Sequence, residues 1–111
     1  MPFHYILDVY GVDEKILDDL ENLKKMLHEA ADALDSEVLG VMEKKFEPQG
    51  VSVILMLAES HISIHTWPET GYAAIDLFTC DDSADPEEGK KVILKYLQPK
   101  KVFENFIFRK V

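Results

Sequence analysis

The stretch VSVILMLAESHISIHTWPETGYAAIDLFT, residues 51–79, contains three strand-like runs in direct succession. Residues 51–57 are continuously aliphatic or β-branched apart from one serine, which is typical of a buried strand. Residues 62–67 alternate between apolar and polar, and residues 72–79 form a third run after a turn at 68–71. Because strands in hairpin succession pair antiparallel, this stretch predicts the centre of an antiparallel sheet.

The segments on either side of this centre predict three further strands and two helices. Asp13 is a plausible N-cap for the first helix, whose apolar residues recur at helical spacing up to Leu34. Pro86 stands where the second helix begins, ahead of a weaker helical pattern over residues 89–97. The further strands are predicted at residues 3–9, 38–46 and 102–108. The order β-α-β-β-β-β-α-β predicts an α/β (α+β) fold, a two-layer sandwich with a mainly antiparallel sheet and two helices on one face.

Apolar residues are too numerous for two helices to bury. We therefore expect that the second face of the sheet is also covered, because the apolar residues include Ile62, Ile64, Trp67 and many aromatic residues. Dimerisation is the simplest cover, so we expect a homodimer.

Composition limits the classes of partner. The 111 residues predict a single domain, 1–111, and the formal net charge of −9 argues against nucleic acid while suiting a cationic small molecule. The longest uncharged apolar run, residues 51–58, is far shorter than the ~20 residues of a membrane span, and the N-terminus does not resemble a signal peptide. One cysteine cannot form an internal disulfide, which fits a cytoplasmic protein.

Hydroxyl, imidazole and thiol groups are concentrated within residues 59–80. Ser60, His61, His65 and Cys80 carry groups that nucleophilic and acid–base chemistry use. On a strand His61 and His65 are about 13 Å apart, which is too far for one metal ion, so no metal site is predicted. Each residue taken singly is more often structural, and their combination is what indicates a function.

That combination closely resembles the prokaryotic S-adenosylmethionine decarboxylase family, whose members are pyruvoyl enzymes. The resemblance is strong in AESHISIHTWPE (residues 58–69), in GYAAIDLFTC (71–80) and in the pattern F-x-P-x-G-V-S (46–52). It is fainter in HYILDVYG (4–11).

The resemblance implies that the chain cleaves itself between Glu59 and Ser60. The Ser60 hydroxyl would attack the Glu59 carbonyl, and the resulting ester would eliminate to leave a pyruvoyl group derived from Ser60. The products would be residues 1–59 (the family's β chain) and residues 60–111 (its α chain). The pyruvoyl ketone would form a Schiff base with the substrate amine and accept electrons as carbon dioxide leaves.

The resemblance also assigns roles to five other residues. His65 assists the cleavage as its base, Ser52 is implicated with it, and Cys80 is the proton donor in decarboxylation. Glu69 matches a position that helps to bind the substrate, and Phe46 matches an aromatic residue that stacks on adenine.

One point of geometry stands apart from the resemblance. Ser60 and His65 are separated by an odd number of residues, so an unbroken strand would project them to opposite sides. We therefore expect a turn or bulge near Glu59-Ser60. Asp76 and Cys80 should share a face, which leaves Asp76 either on the catalytic side or facing solvent.

The leading interpretation is decarboxylation of S-adenosylmethionine, which supplies the aminopropyl donor for spermidine and polyamine synthesis. The sequence departs from the family at Val53, Thr70 and Asp81, which border the substrate pocket. One alternative keeps the mechanism and changes the substrate to a basic amino acid, arginine or ornithine. The other is a non-catalytic homologue that acts as a regulatory subunit. Activation by putrescine or by a divalent ion is left open.

Overall fold

The computed structural model describes residues 2–110, so Met1 and Val111 of the predicted 1–111 domain lie outside the described residues. The described chain forms one sheet and three helices. The strands are β1 (Phe3–Tyr10), β2 (Val38–Lys45), β3 (Val51–Leu57), β4 (Ser60–Trp67), β5 (Tyr72–Thr79) and β6 (Lys101–Phe108); the helices are α1 (Glu14–Leu17), α2 (Leu20–Ala33) and α3 (Pro86–Leu97), with a 3₁₀ turn at Pro68–Thr70. The strand order is β2-β3-β4-β5-β1-β6, and every strand pair described is antiparallel. The predicted mainly antiparallel two-layer fold is confirmed.

The prediction of only two helices is wrong, because the first predicted helix is broken into α1 and α2. Asp18 ends α1 and Asp19 begins α2, where its carboxylate accepts a hydrogen bond from the backbone N–H of Asn22 at 3.1 Å. The Asp18 carboxylate accepts instead from the backbone N–H of Gly50 at 2.8 Å. The break lies in the backbone of these two residues: Asp18 has ψ 5° and Asp19 has ψ 90°, outside the α-helical region, so α2 begins with a cap of its own.

All three helices pack on one face of the sheet and form the core with it. Alternate residues of β1, β3, β4 and β5 point to this face, as the pleat requires. The helices contribute the following fully buried side chains: Leu17, Leu23, Met26, Leu27, Ala30, Ala31, Ile93 and Leu97. Within residues 2–110, none of the helices has both the length and the apolar character needed to cross a membrane.

We call the opposite face of the sheet the open face, because the described residues place no helix on it. Ile62 and Ile64, which were expected to need a second cover, are fully buried against the helices instead. The expectation was wrong for these two residues. Alternation of apolar and polar residues along a strand indicates that the two faces of the sheet differ, but it does not indicate which face the helices cover. The open face still exposes large apolar side chains: Tyr10, Met42, Ile54, Met56, Trp67, Phe103 and Ile107.

Candidate active site

The candidate residues form two groups at the two ends of β4. In the β3–β4 ladder, Ser60 pairs with Leu57 at one end, and His65 pairs with Ser52 at the other. We call the first group the Ser60 end and the second the His65 end. They are described in turn.

At the His65 end, a hydrogen bond of 2.6 Å joins Ser52 Oγ to His65 Nδ1. Cross-strand pairing accounts for this contact, because directly opposed residues share a face of the sheet. The bond fixes the imidazole ring and leaves its other nitrogen, Nε2, for proton transfer. The register of β3 against β4 is thus sufficient to place Ser52 and His65 next to each other.

The same end of β4 opens into a cavity of about 320 Å³. Four residues to which the family resemblance gives separate roles line it together: Phe46, Ser52, His65 and Glu69. Gln49, Gly50, Thr66 and Trp67 complete the lining. The cavity therefore combines two aromatic rings, each 44% exposed, with one carboxylate and one imidazole.

At the Ser60 end, the backbone N–H of Cys80 donates a hydrogen bond to Ser60 Oγ at 3.1 Å. Cys80 follows directly after β5, and both residues are partly buried. The contact brings Cys80, the only cysteine of the sequence, next to the hydroxyl that was predicted to react. Cys80 also lies in a groove of about 680 Å³ whose lining is rich in carboxylates: Asp35, Glu37, Glu59, Asp81 and Asp82.

The backbone irregularity expected at Glu59-Ser60 is present. Glu59 has φ +61°, in the left-handed region that residues other than glycine rarely occupy. This conformation lets residues 58–59 connect β3 to β4, and it places local strain on the residue whose carbonyl is the predicted cleavage site. Glu59 is an exposed residue, so the turn that holds its carbonyl lies at the protein surface.

The irregularity does not bring Ser60 and His65 together. β4 is continuous from Ser60 to Trp67, so the two residues are separated by about 17 Å, at ~3.3 Å per residue. The predicted residues of this chain therefore form two separate groups, one at each end of β4.

A third cluster lies on the open face. The pKa of His61 is lowered by its burial and by the neighbouring His4, against an opposing effect from Asp76. His61 stacks on Phe78 at 5.5 Å between ring centroids, and His4 Nε2 lies 3.6 Å from the Asp76 carboxylate. Asp76 is thus on the open face as a partner of His4. Across residues 2–110, no three His, Cys, Asp or Glu side chains are arranged to hold a metal ion.

Sequence reasoning gave no site role to three residues of the His65 end, Gln49, Thr66 and Trp67, and predicted Trp67 only as an apolar residue that needs cover. The signal was available, because all three lie inside the stretches that carry the family resemblance. Thr66 has a structural task there: its hydroxyl donates to the carbonyl of Leu17 at 2.7 Å and accepts from the N–H of Val51 at 2.9 Å. It ties α1 to the start of β3.

Comparison with known proteins agrees with this geometry. The sequence profile of the family described as S-adenosylmethionine decarboxylase matches residues 3–110. An S-adenosylmethionine decarboxylase proenzyme of Caldanaerobacter subterraneus is 47% identical over 95 residues, which cover 86% of this chain and 77% of that protein. A proenzyme of the same description from Brevibacillus brevis is 42% identical over 106 residues, covering 96% of this chain and 80% of the relative.

Among solved structures, the adenosylmethionine decarboxylase of Aquifex aeolicus superposes with a TM-score of 0.92 at 32% identity. The match covers all of this chain and 92% of that one. Profile, relatives and fold agree, and the chain belongs to the S-adenosylmethionine decarboxylase family.

Proposed function

We propose that this chain cleaves itself between Glu59 and Ser60 and then decarboxylates S-adenosylmethionine with a pyruvoyl group derived from Ser60. The observation that carries the proposal is the contact of Ser60 Oγ with the Cys80 backbone, which puts a nucleophile, a strained carbonyl and a thiol at one turn. That the relatives from Caldanaerobacter and Brevibacillus are described as proenzymes supports it further.

Self-cleavage follows from the groups at this turn. Ser60 Oγ attacks the carbonyl carbon of Glu59, the amide C–N bond breaks, and an ester joins the two residues. A base then removes the α-proton of Ser60, and the Glu59 carboxylate leaves as the Cα–Cβ double bond forms. Water converts the resulting dehydroalanine into a ketone with loss of ammonia. The left-handed conformation of Glu59 favours the first step because strain in the turn is released when the amide bond breaks.

The residues around Ser60 fit a pyruvoyl group. Ser60 Oγ would leave with Glu59, and the backbone N–H of Cys80, from which it now accepts, would remain as a hydrogen-bond donor for the new group. When present, the group accepts electrons as carbon dioxide leaves the substrate. Cys80, whose backbone contacts Ser60, would return a proton to carbon through its thiol, and the carboxylates of the adjoining groove would attract the cationic substrate.

The cavity at the His65 end favours S-adenosylmethionine over a basic amino acid. Phe46 and Trp67 expose aromatic rings on which a purine can stack, and the Glu69 carboxylate can accept hydrogen bonds from ribose hydroxyls. Arginine and ornithine have neither a purine nor a ribose to use these groups.

The active site is completed by a second copy of the chain. His65 and Ser60 of one protomer are about 17 Å apart and cannot act on the same bond. A two-fold axis near the middle of β4 lays the Ser60 end of one protomer beside the His65 end of its partner. Such packing also covers the apolar side chains of the open face. The protein is therefore a homodimer with two shared sites.

Co-expression of Ser60→Ala and His65→Ala chains tests this sharing. Each variant alone is expected to remain uncut, because one lacks the nucleophile and the other lacks the base. In the mixed dimer one site combines the intact Ser60 of the His65→Ala chain with the intact His65 of its partner. Intact-mass analysis should then find the His65→Ala chain cut and the Ser60→Ala chain whole. An uncut His65→Ala chain in the mixed dimer would contradict the sharing of sites.

Carbon dioxide release tests the substrate. Purified protein is incubated with carboxyl-labelled S-adenosylmethionine, arginine or ornithine. We expect release from S-adenosylmethionine alone, because only this substrate fills the aromatic cavity. Release from arginine or ornithine would support the alternative substrate, and protein that stays uncut and inactive would support a regulatory homologue.

A further inference from the structure

Asp18, in the break between α1 and α2, makes two contacts that have no role in either helix. Its Oδ1 accepts a hydrogen bond from the backbone N–H of Gly50 at 2.8 Å and lies 3.0 Å from Lys45 Nζ. Lys45 ends β2 and Gly50 ends the connection from β2 to β3, and both are more than twenty-five residues away in sequence. A carboxylate in these contacts links the helix break to a distant loop.

The two contacts hold the two ends of that loop. Lys45 is the last residue of β2, and its ammonium group also donates to the Phe46 carbonyl at 3.1 Å. Gly50 is the last residue before β3, and its carbonyl accepts from the Phe46 N–H at 2.8 Å. The loop of residues 46–50 is therefore closed on itself and fastened to Asp18 at both ends.

This loop forms one wall of the cavity at the His65 end, through Phe46, Gln49 and Gly50. Gly50 has φ +112°, a backbone conformation open to glycine and to few other residues. Asp18 therefore binds the backbone N–H of a glycine with an unusual conformation. If this hydrogen bond were lost, the loop could adopt an alternative conformation at Gly50.

We propose that Asp18 is a positioning residue for substrate binding: it holds the 46–50 loop so that Phe46 and Gln49 face the ligand. The inference rests on the proposed function, since it takes the cavity at the His65 end as the substrate site. The charge of Asp18 agrees with this role. Hydrogen bonds from Gly50 and from Lys45 lower the pKa of Asp18, so the carboxylate is ionised at neutral pH and binds both partners as an anion.

The chain offers a matched control in the next residue. Asp19 is also an exposed acidic cap in the same break, but its carboxylate accepts from Asn22 within α2 and does not touch the loop. Asp19→Ala should lower stability as the loss of an N-cap does, without moving Phe46. Comparing the two alanine variants separates loop positioning from general destabilisation.

We expect Asp18→Ala to raise KM for S-adenosylmethionine about tenfold, equivalent to ~1.4 kcal/mol, while kcat changes by less than about twofold. Asp18→Asn keeps an oxygen that can accept from Gly50 and loses the charge that pairs with Lys45, so its KM should be intermediate. Asp19→Ala should leave KM unchanged. Self-cleavage should be complete in all three, because Ser52 and His65 are held by the β3–β4 ladder.

Amide hydrogen exchange at Gly50 gives a readout that does not depend on catalysis. Exchange should accelerate in Asp18→Ala and stay at the wild-type rate in Asp19→Ala. Unchanged KM and unchanged Gly50 exchange in both Asp18 variants would overturn the inference, as would an equal rise in KM for Asp19→Ala. If wild-type protein released no carbon dioxide, the proposed function would fail, whereas Gly50 exchange would still decide whether Asp18 holds the loop.

Discussion

Ser60→Ala is expected to give one uncut, inactive polypeptide. Alanine has no oxygen to attack the Glu59 carbonyl, so neither the ester nor the ketone that derives from it can form. Loss of cleavage should be complete, because within residues 2–110 no other hydroxyl is seen to take the place of Ser60 Oγ at the Cys80 N–H. Gel electrophoresis of the purified variant, together with a carbon dioxide assay, measures both effects.

Ser63→Ala is the matched control for this variant. Ser63 lies on the same strand three residues later and is buried, so its removal tests the general sensitivity of β4 to loss of a hydroxyl. It should still be cut and still release carbon dioxide. Efficient fragmentation of Ser60→Ala at the same bond would remove Ser60 from its proposed role.

Cys80→Ala is expected to separate the two reactions. Cleavage should continue, because the contact with Ser60 comes from the Cys80 backbone N–H, which alanine retains. Decarboxylation should fall by about 10²- to 10⁴-fold, the usual contribution of a positioned general acid. Quantifying the cut fraction alongside kcat on the same preparation tests both halves of the expectation.

Alkylation provides a second test of the same residue. Cys80 is the only cysteine of the chain, so a thiol reagent modifies a single position. Alkylated protein should remain cut and lose activity in proportion to the modified fraction, and Cys80→Ala should not respond to the reagent. Turnover that is unaffected by either change would show that another group returns the proton.

The sheet could be predicted from the sequence because its signals are local. The runs over residues 51–57, 62–67 and 72–79 each carry strand composition and are separated by short turns, and the structure places β3, β4 and β5 there. The choice of face was not local. Ile62 and Ile64 were wrongly expected to need a cover other than the helices. The face of the sheet that the helices cover depends on connections far along the chain.

The helix break could not be predicted for a related reason. The apolar spacing from Ile16 to Leu34 is compatible with one helix, and the break lies at Asp18 and Asp19, where the Asp18 carboxylate accepts from the Gly50 N–H, 32 residues away. Helical periodicity reports burial of one face and is insensitive to a single side chain that is bound elsewhere.

The sequence predicted candidate members of the site and could not predict how they are arranged. Family resemblance supplied Ser60, His65 and Cys80, and the odd separation of Ser60 and His65 already indicated a conflict with a single shared site. Resolving that conflict required the register of β3 against β4, which shows the strand to be unbroken. The sequence contains no signal for which end of the strand would meet a second copy in the proposed dimer.

The intact-mass spectrum of purified protein, recorded with and without borohydride, tests the central claim most directly. We predict two fragments, residues 1–59 and residues 60–111, with the second lacking a free amino terminus and gaining the mass of two hydrogen atoms on reduction of its ketone. A single chain of 111 residues with an unmodified serine at position 60, unchanged by borohydride, would contradict the proposal.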